Sequence, residues 1–217
     1  MVPRVHCITD LSTAVGTLTA KTPLDGARVW ALLDLLEAAV RAGVDAVQVR
    51  AKQATDRDLL DLTTLVVDRL RPLGATVIVD DRVDVALGAD ADGVHLGLTD
   101  LPVRTVRRLA PDGFLVGATC RNDEHARQAR DEGADYLGVG PVYATDTKQG
   151  LPDPVGLGAV RGAAAFLPVV AVSGITVQRI PQVMAAGAHG VAVVAAISRA
   201  PDPGQAAWEI VQAVRAA

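Results

Sequence analysis

The chain has 217 residues, half of them apolar and only 3% aromatic, and its formal net charge is −4. That length suits one large α/β domain with a sizeable buried core. A mildly acidic chain without a basic stripe or stacking aromatics is a poor nucleic-acid binder. No apolar run approaches the roughly 20 residues of a membrane span, and the N-terminus lacks the long apolar stretch of a signal peptide, so a soluble cytoplasmic protein is expected.

The first strand-like run is residues 4–9 (RVHCIT), and the next is 46–50 (AVQVR). An amphipathic helical stretch at 56–70 leads to a strand at 76–80 (TVIVD), then one at 93–97 (GVHLG). The helical stretch 102–110 precedes a strand at 114–119 (FLVGAT), and further strands follow at 136–140 (YLGVG), 169–174 (VVAVSG) and 190–195 (GVAVVA). A helical stretch at 204–216 closes the chain. Four segments share one design: RAGVDAVQVR, ALGADADGVHLG, DEGADYLGVG and AAGAHGVAVVA. Each has a helical tail, a Gly stop, a short polar step and a β-branched run, which is half of a βα repeat. Eight such units predict a single-domain (β/α)8 TIM barrel over residues 1–217. An open doubly wound sheet is the alternative, but its Gly-rich fingerprint after the first strand is missing. Cys7 and Cys120 have neither CxxC spacing nor a His cluster nearby and read as reduced core thiols.

Chemistry in such barrels sits at the C-terminal ends of the strands. Strand two ends Gln48-Val49-Arg50-Ala51-Lys52, where alternation would bring Gln48, Arg50 and Lys52 to one face, a set suited to a diphosphate. Strand three ends Val79-Asp80-Asp81, and Asp100 follows strand four. Asp81 and Asp100 would suit Mg2+ with a bound diphosphate, or else would cap the helices that follow them. Thr119 ends strand five. The loop after strand six, GPVYATDTKQG, concentrates Thr145, Thr147 and Lys148. It is not a Walker A loop, because Thr145 stands where that motif needs its second Gly. Gly174 after strand seven, with Val194 and Ala195 after strand eight, would bring backbone N–H groups to a phosphate. His95 reads as a hydrogen-bonded barrel residue sooner than a proton shuttle.

Together these stretches resemble the thiamine phosphate synthase family, over most of the chain. The motifs that carry the resemblance are QVRAK, VDDRVDVAL, ADGVHLGLTD, GADYLGVGPVYATDTK and VSGI, all in order at strand ends. The resemblance implies a (β/α)8 barrel that joins hydroxymethylpyrimidine diphosphate to a thiazole phosphate, releasing diphosphate. By that likeness Gln48, Arg50 and Lys52 hold the pyrimidine diphosphate, with Asp80 beside it, and Asp81 and Asp100 hold Mg2+. Thr119 borders the pyrimidine, Thr145 and Thr147 bind the thiazole phosphate, and Lys148 meets the diphosphate. Gly174, Val194 and Ala195 offer backbone groups to the thiazole's phosphate. Both substrates are small molecules; a homo-oligomer stays open.

The chain departs from the family pattern in places. Asp80 replaces the usual Asn, Leu98 a Gln, Thr119 a Ser, Arg121 a His, Ser173 a Gly and Ala195 a Ser. Asp80 adds a negative charge facing a diphosphate, to be offset by Mg2+ or a basic neighbour. The sister thiazole tautomerase family is the nearest alternative, and Arg121 stands where that family places its proton-transferring His. A non-catalytic barrel that binds phosphate ligands is the third reading.

Overall fold

The computed structural model describes residues 1–9, 26–147, 150 and 152–217. Eight strands form a closed parallel barrel in chain order, with β1 also paired to β8. They are β1 Val5–Ile8, β2 Ala46–Val49, β3 Thr76–Asp80, β4 Gly93–Leu96, β5 Leu115–Cys120, β6 Tyr136–Val139, β7 Val169–Val172 and β8 Gly190–Val193. The described helices are α1 Gly26–Arg41, α2 Asp56–Leu70, α3 Val83–Gly88, α4 Val103–Leu109, α5 Asp123–Asp131, α6 Gly156–Ala163, α7 Ile180–Ala185, α8 Ala195–Ser198 and α9 Pro203–Ala216.

Local chemistry starts these helices. Thr55 caps α2 by accepting the Asp58 N–H, with Asp56 and Asp58 in the first turn to complement the helix dipole. Asn122 caps α5 and Asp202 caps α9 in the same way. Of the four predicted Gly stops, Gly43, Gly133 and Gly187 adopt φ of 107°, 93° and 98°, which a side chain would strain; at the fourth, Gly88 ends α3 without a positive φ and Asp90 takes φ 55° instead.

The polar step after each stop has a defined job. Asp45 precedes β2, and its carboxylate accepts the N–H groups of Arg4 and Val5 at 3.1 and 2.9 Å. Asp92 accepts from Val77 at 2.7 Å, and Asp135 from Val116 at 2.7 Å. The backbone returns the bond, since the N–H of each Asp donates to the carbonyl of Val5, Val77 or Val116. An Asp before an even strand thus stitches it to the start of the preceding odd strand and satisfies amides at the closed end of the barrel. Before β8 the place is taken by His189, whose Nε2 lies 2.9 Å from the Val2 carbonyl.

Strand alternation divides the core into two shells. Val47, Val49, Val77, Val79, Val94, Leu137 and Val139 point outward against the helices. Ile8, Ala46, Ile78, Tyr136, Val170 and Ala192 fill the interior. Each fully buried Val, Ile or Leu contributes roughly 1.5–3 kcal/mol. Several strands stop earlier than the sequence suggests. β2 ends at Val49, so Arg50 and Lys52 lie beyond the ladder. β8 ends at Val193, because Val194 turns to φ −121°, ψ −86° and opens α8 at Ala195. No described helix is long and apolar enough to cross a membrane.

Candidate active site

The barrel interior changes character toward its C-terminal mouth. There a cavity of about 820 Å³ opens, and Gln48, Arg50, Asp80, Thr119, Thr145, Thr147, Gly174, Val194 and Ala195 all line it. Lys52, Asp81 and Asp100 do not line it: Lys52 is paired with Asp80, Asp81 is paired with Lys52, and Asp100 borders a smaller pocket that also touches Thr119. Lys148 lies outside the described residues.

The wall built by β2 and β3 is a charge cluster. The Thr9 hydroxyl receives the Arg50 N–H at 2.9 Å and donates to the Arg50 carbonyl at 3.1 Å, fixing the backbone where the chain leaves the strand. Arg50 Nε sits 3.3 Å from Asp80 Oδ2, and Lys52 Nζ sits 4.0 Å from the same oxygen. Lys52 Nζ also lies 2.6 Å from Asp81. The basic neighbours that Asp80 requires are therefore the two cations expected to meet the diphosphate. Burial opposes the Lys52 charge, but its hydrogen bond to Asp81 and the charges of Asp80 and Asp81 hold its pKa above the ordinary value.

Neither Asp81 nor Asp100 caps the helix after it. The N-cap positions of α3 and α4 are Arg82 and Pro102, without side-chain caps. Asp81 instead adopts φ 65°, a conformation that costs about 1–3 kcal/mol for a non-Gly residue. Its carboxyl interacts with that of Asp100, and Asp100 accepts the Gly97 N–H at 2.6 Å. Burial and the charge of Asp81 raise the Asp100 pKa. Burial works against ionising Asp81 too, but the Lys52 ammonium holds it below the usual carboxylate range. A divalent cation between these two groups would find two carboxylate oxygens from neighbouring strand ends. Mg2+ takes that number, completing its shell with water and substrate phosphate.

Under the mouth lies a polar chain. His95 Nδ1 is 3.2 Å from the Tyr136 hydroxyl, and His95 Nε2 is 3.1 Å from Thr119 Oγ1. His95 is thus hydrogen-bonded within the barrel, in agreement with the sequence reading. On the opposite wall, Thr147 N–H and the Thr145 and Thr147 hydroxyls form a local turn, with distances of 3.3 and 3.2 Å to Thr145 Oγ1. Gly174 has φ 66°, and a Cβ there would stand 2.7 Å from Tyr143 Cβ and from the Ala144 carbonyl. Val194 and Ala195 occupy the start of α8, whose first N–H groups have no acceptor inside the helix.

Sequence reasoning missed three contributors and named a fourth, Arg121, only as a departure from the family pattern. Thr9 lies in the ITD stretch, but its service to the Arg50 backbone needs the β1–β2 register to be seen. Tyr136 reads as an ordinary strand residue. Arg179 lines the cavity, donates to the Gly174 carbonyl at 2.6 Å and lies 4.3 Å over the Tyr143 ring, tying the loops after β6 and β7 together. Arg121 lines the cavity too, and its buried Nε has no partner among the described residues. Cys7 and Cys120 are free and buried, and burial pushes their thiols up to about 12 and about 11, so neither serves as a nucleophile.

The chain matches the family model described as thiamine monophosphate synthase over residues 24–197. It is 41% identical to a thiamine-phosphate synthase of Salinispora arenicola over 214 residues, covering 97% of each chain. It is 47% identical over 186 residues to a bifunctional thiamine biosynthesis protein of Symbiobacterium thermophilum, spanning 85% of this chain but only 39% of that longer one. Among solved structures, a thiamine phosphate pyrophosphorylase from Pyrococcus furiosus superposes with a TM-score of 0.82 at 32% identity, over 98% of this chain and 96% of the other.

Proposed function

The chain belongs to the thiamine monophosphate synthase family, and we propose that it is a transferase of thiamine biosynthesis that joins hydroxymethylpyrimidine diphosphate to a thiazole phosphate. The observation that carries this reading is the shared cavity. Gln48 on β2 with Arg50 just after it, a hydroxyl from β5, the threonines after β6 and the backbone turns after β7 and β8 all face one volume.

In the reaction, the bond between the pyrimidine methylene carbon and the diphosphate oxygen breaks, and its electron pair leaves with diphosphate. The thiazole ring nitrogen then donates its lone pair to that carbon. The nitrogen carries no proton to lose, so no general base is required, and the inert buried thiols agree with a route lacking a covalent nucleophile. Gln48, Arg50, Lys52 and Lys148 hold the pyrimidine diphosphate and stabilise charge as it develops on the leaving group. Thr119 borders the pyrimidine. Thr145 and Thr147, with the backbone at Gly174, Val194 and Ala195, hold the thiazole's phosphate so that its nitrogen faces the methylene. Asp81 and Asp100 would hold Mg2+, which when bound neutralises diphosphate charge. Asp80 keeps Arg50 and Lys52 in place before the substrate arrives and yields them to it. A cytoplasmic setting, where both small phosphorylated substrates would be met, belongs to the same proposal.

The test is to incubate the protein with each substrate alone and with both, with and without Mg2+, and to separate the products by chromatography. Thiamine phosphate forming only with both substrates supports the proposal. Isomerisation of a thiazole carboxylate phosphate without the pyrimidine would replace it with the tautomerase reading. Binding of both substrates without any product would leave a ligand-binding barrel.

A further inference from the structure

Three strands cooperate around one buried hydroxyl. Parallel register sets His95 on β4 beside Gly117 on β5, and Gly117 beside Tyr136 on β6. One step further on, Thr119 stands beside Gly138. Both glycines are spaces for rings. A Cβ on Gly117 would overlap the Tyr136 ring, and one on Gly138 would stand 2.5 Å from His95 Cε1. The barrel interior thus gives up two side chains to admit a Tyr–His pair.

The direction of the hydrogen bonds follows from what surrounds them. Tyr136 is 1% exposed; apolar Ile8, Ala46, Ile78, Val170 and Ala192 surround it, and the His6 ring meets it edge-on at 5.5 Å between centroids, its Nε2 already engaged with the Pro3 carbonyl at 3.1 Å. Burial raises the Tyr136 pKa, so the phenol keeps its proton. Among the described residues, the acceptor in reach of that proton is His95 Nδ1, at 3.2 Å. An Nδ1 that accepts leaves the ring hydrogen of a neutral imidazole on Nε2, which then donates to Thr119 Oγ1 at 3.1 Å. Thr119 Oγ1, accepting from His95, has its own hydrogen left for the cavity that it lines. Were the chain reversed, the buried Tyr136 proton would have no hydrogen-bonded acceptor among the described residues.

We infer that Tyr136 acts through His95 as a positioning relay that holds the Thr119 hydroxyl as a hydrogen-bond donor toward the pyrimidine diphosphate. The functional half of this inference rests on the proposed synthase reading, which sets Thr119 beside that substrate; the hydrogen-bond direction does not. Tyr136 and His95 border the same cavity, and in this inference they are positioning residues that act on the ligand through Thr119.

The direction is read first without turnover. Nitrogen-15 NMR of the ligand-free protein at neutral pH, with the His95 signals identified by their loss in His95→Gln, is expected to show Nδ1 as an unprotonated acceptor and Nε2 protonated. A protonated Nδ1, alone or in an imidazolium, overturns the relay whether or not the protein makes thiamine phosphate. Function is read by a double-mutant cycle on turnover. Tyr136→Phe removes the donor with little change in shape and is expected to lower kcat by about threefold to tenfold, the worth of one neutral hydrogen bond, with little effect on the thiazole phosphate KM. Combined with Thr119→Val it is expected to add nothing to the loss from Thr119→Val alone. Independent, multiplying losses overturn the functional half. If Tyr136→Phe does not fold, the wild-type spectrum still decides the direction. If no turnover is found in any form, the synthase reading falls while the tautomer measurement stands.

Discussion

The replacement Asp80→Asn probes the charge balance on the diphosphate wall. At neutral pH, Arg50 and Lys52 face Asp80 and Asp81 at 2.6–4.0 Å, so two cations are offset by two carboxylates. An arriving diphosphate meets a wall with almost no net charge and has to displace Asp80 from Arg50. Removing one unit charge about 6 Å from a bound anion, at an effective dielectric near 50 for a half-solvated site, relieves about 1 kcal/mol for each unit of ligand charge. Diphosphate carries more than one, so its Kd in the absence of Mg2+ is expected to fall by about tenfold or more. The assay is calorimetric titration of inorganic diphosphate into wild type and Asp80→Asn at low salt, with and without Mg2+. The gain should shrink as salt rises, and the variant should need less Mg2+ for half-maximal turnover. Unchanged or weaker diphosphate binding would refute the reasoning, because Asp80 would then be holding Arg50 in its only productive position.

Other perturbations isolate other parts of the account. Gly174→Ala forces a Cβ onto φ 66° and to within 2.7 Å of Tyr143 Cβ and the Ala144 carbonyl. Steady-state kinetics should show the thiazole phosphate KM rising by about tenfold, from strain of about 1–3 kcal/mol at the cradle. Lys148→Ala should lower kcat by about a hundredfold while circular dichroism stays unchanged, the cost of losing one preorganised charge at a leaving group. Asp92→Ala strips the Val77 amide of its acceptor and should cost about 1–3 kcal/mol in urea unfolding, without altering specific activity of the folded protein. His6 is fully buried, and desolvation lowers its pKa from 6.5 to about 4. Between those values the unfolded chain binds a proton that the folded one refuses, so stability falls as pH drops through that window, by about 3 kcal/mol at most. Chemical unfolding followed from pH 7 to pH 4 should show a shallower slope in His6→Asn.

The fold was legible because its signals are local. Gly43, Gly133 and Gly187 end helices in the conformation that Gly permits, and each is followed by a polar residue and a β-branched run that can only be a buried strand. The Asp of each step was visible as a pattern, but its purpose, catching an amide of the previous strand, depends on register. The strand-end residues were legible for the same reason as the barrel: once the strands are placed, their C-terminal ends are fixed, and Gln48, Arg50, Asp80 and Thr119 fall at one mouth. What stayed hidden is pairwise. No sequence pattern says that Asp80 meets Arg50 and Lys52, that Asp81 and Asp100 interact with each other in place of capping α3 and α4, or that Arg179 stacks on Tyr143. Tyr136 was invisible as a functional residue because its role depends on the absence of side chains at Gly117 and Gly138, two strand positions that look unremarkable in isolation.

The central claim is that one cavity breaks the pyrimidine–diphosphate bond and makes the bond to the thiazole nitrogen. Phosphorus-31 NMR tests it in a single sample holding the protein, Mg2+ and both substrates. The account predicts that the substrate diphosphate signals decay as free diphosphate and thiamine phosphate rise in equal amounts, and that Arg50→Ala slows both together. Release of diphosphate without thiamine phosphate, or no release with both substrates bound, would contradict it.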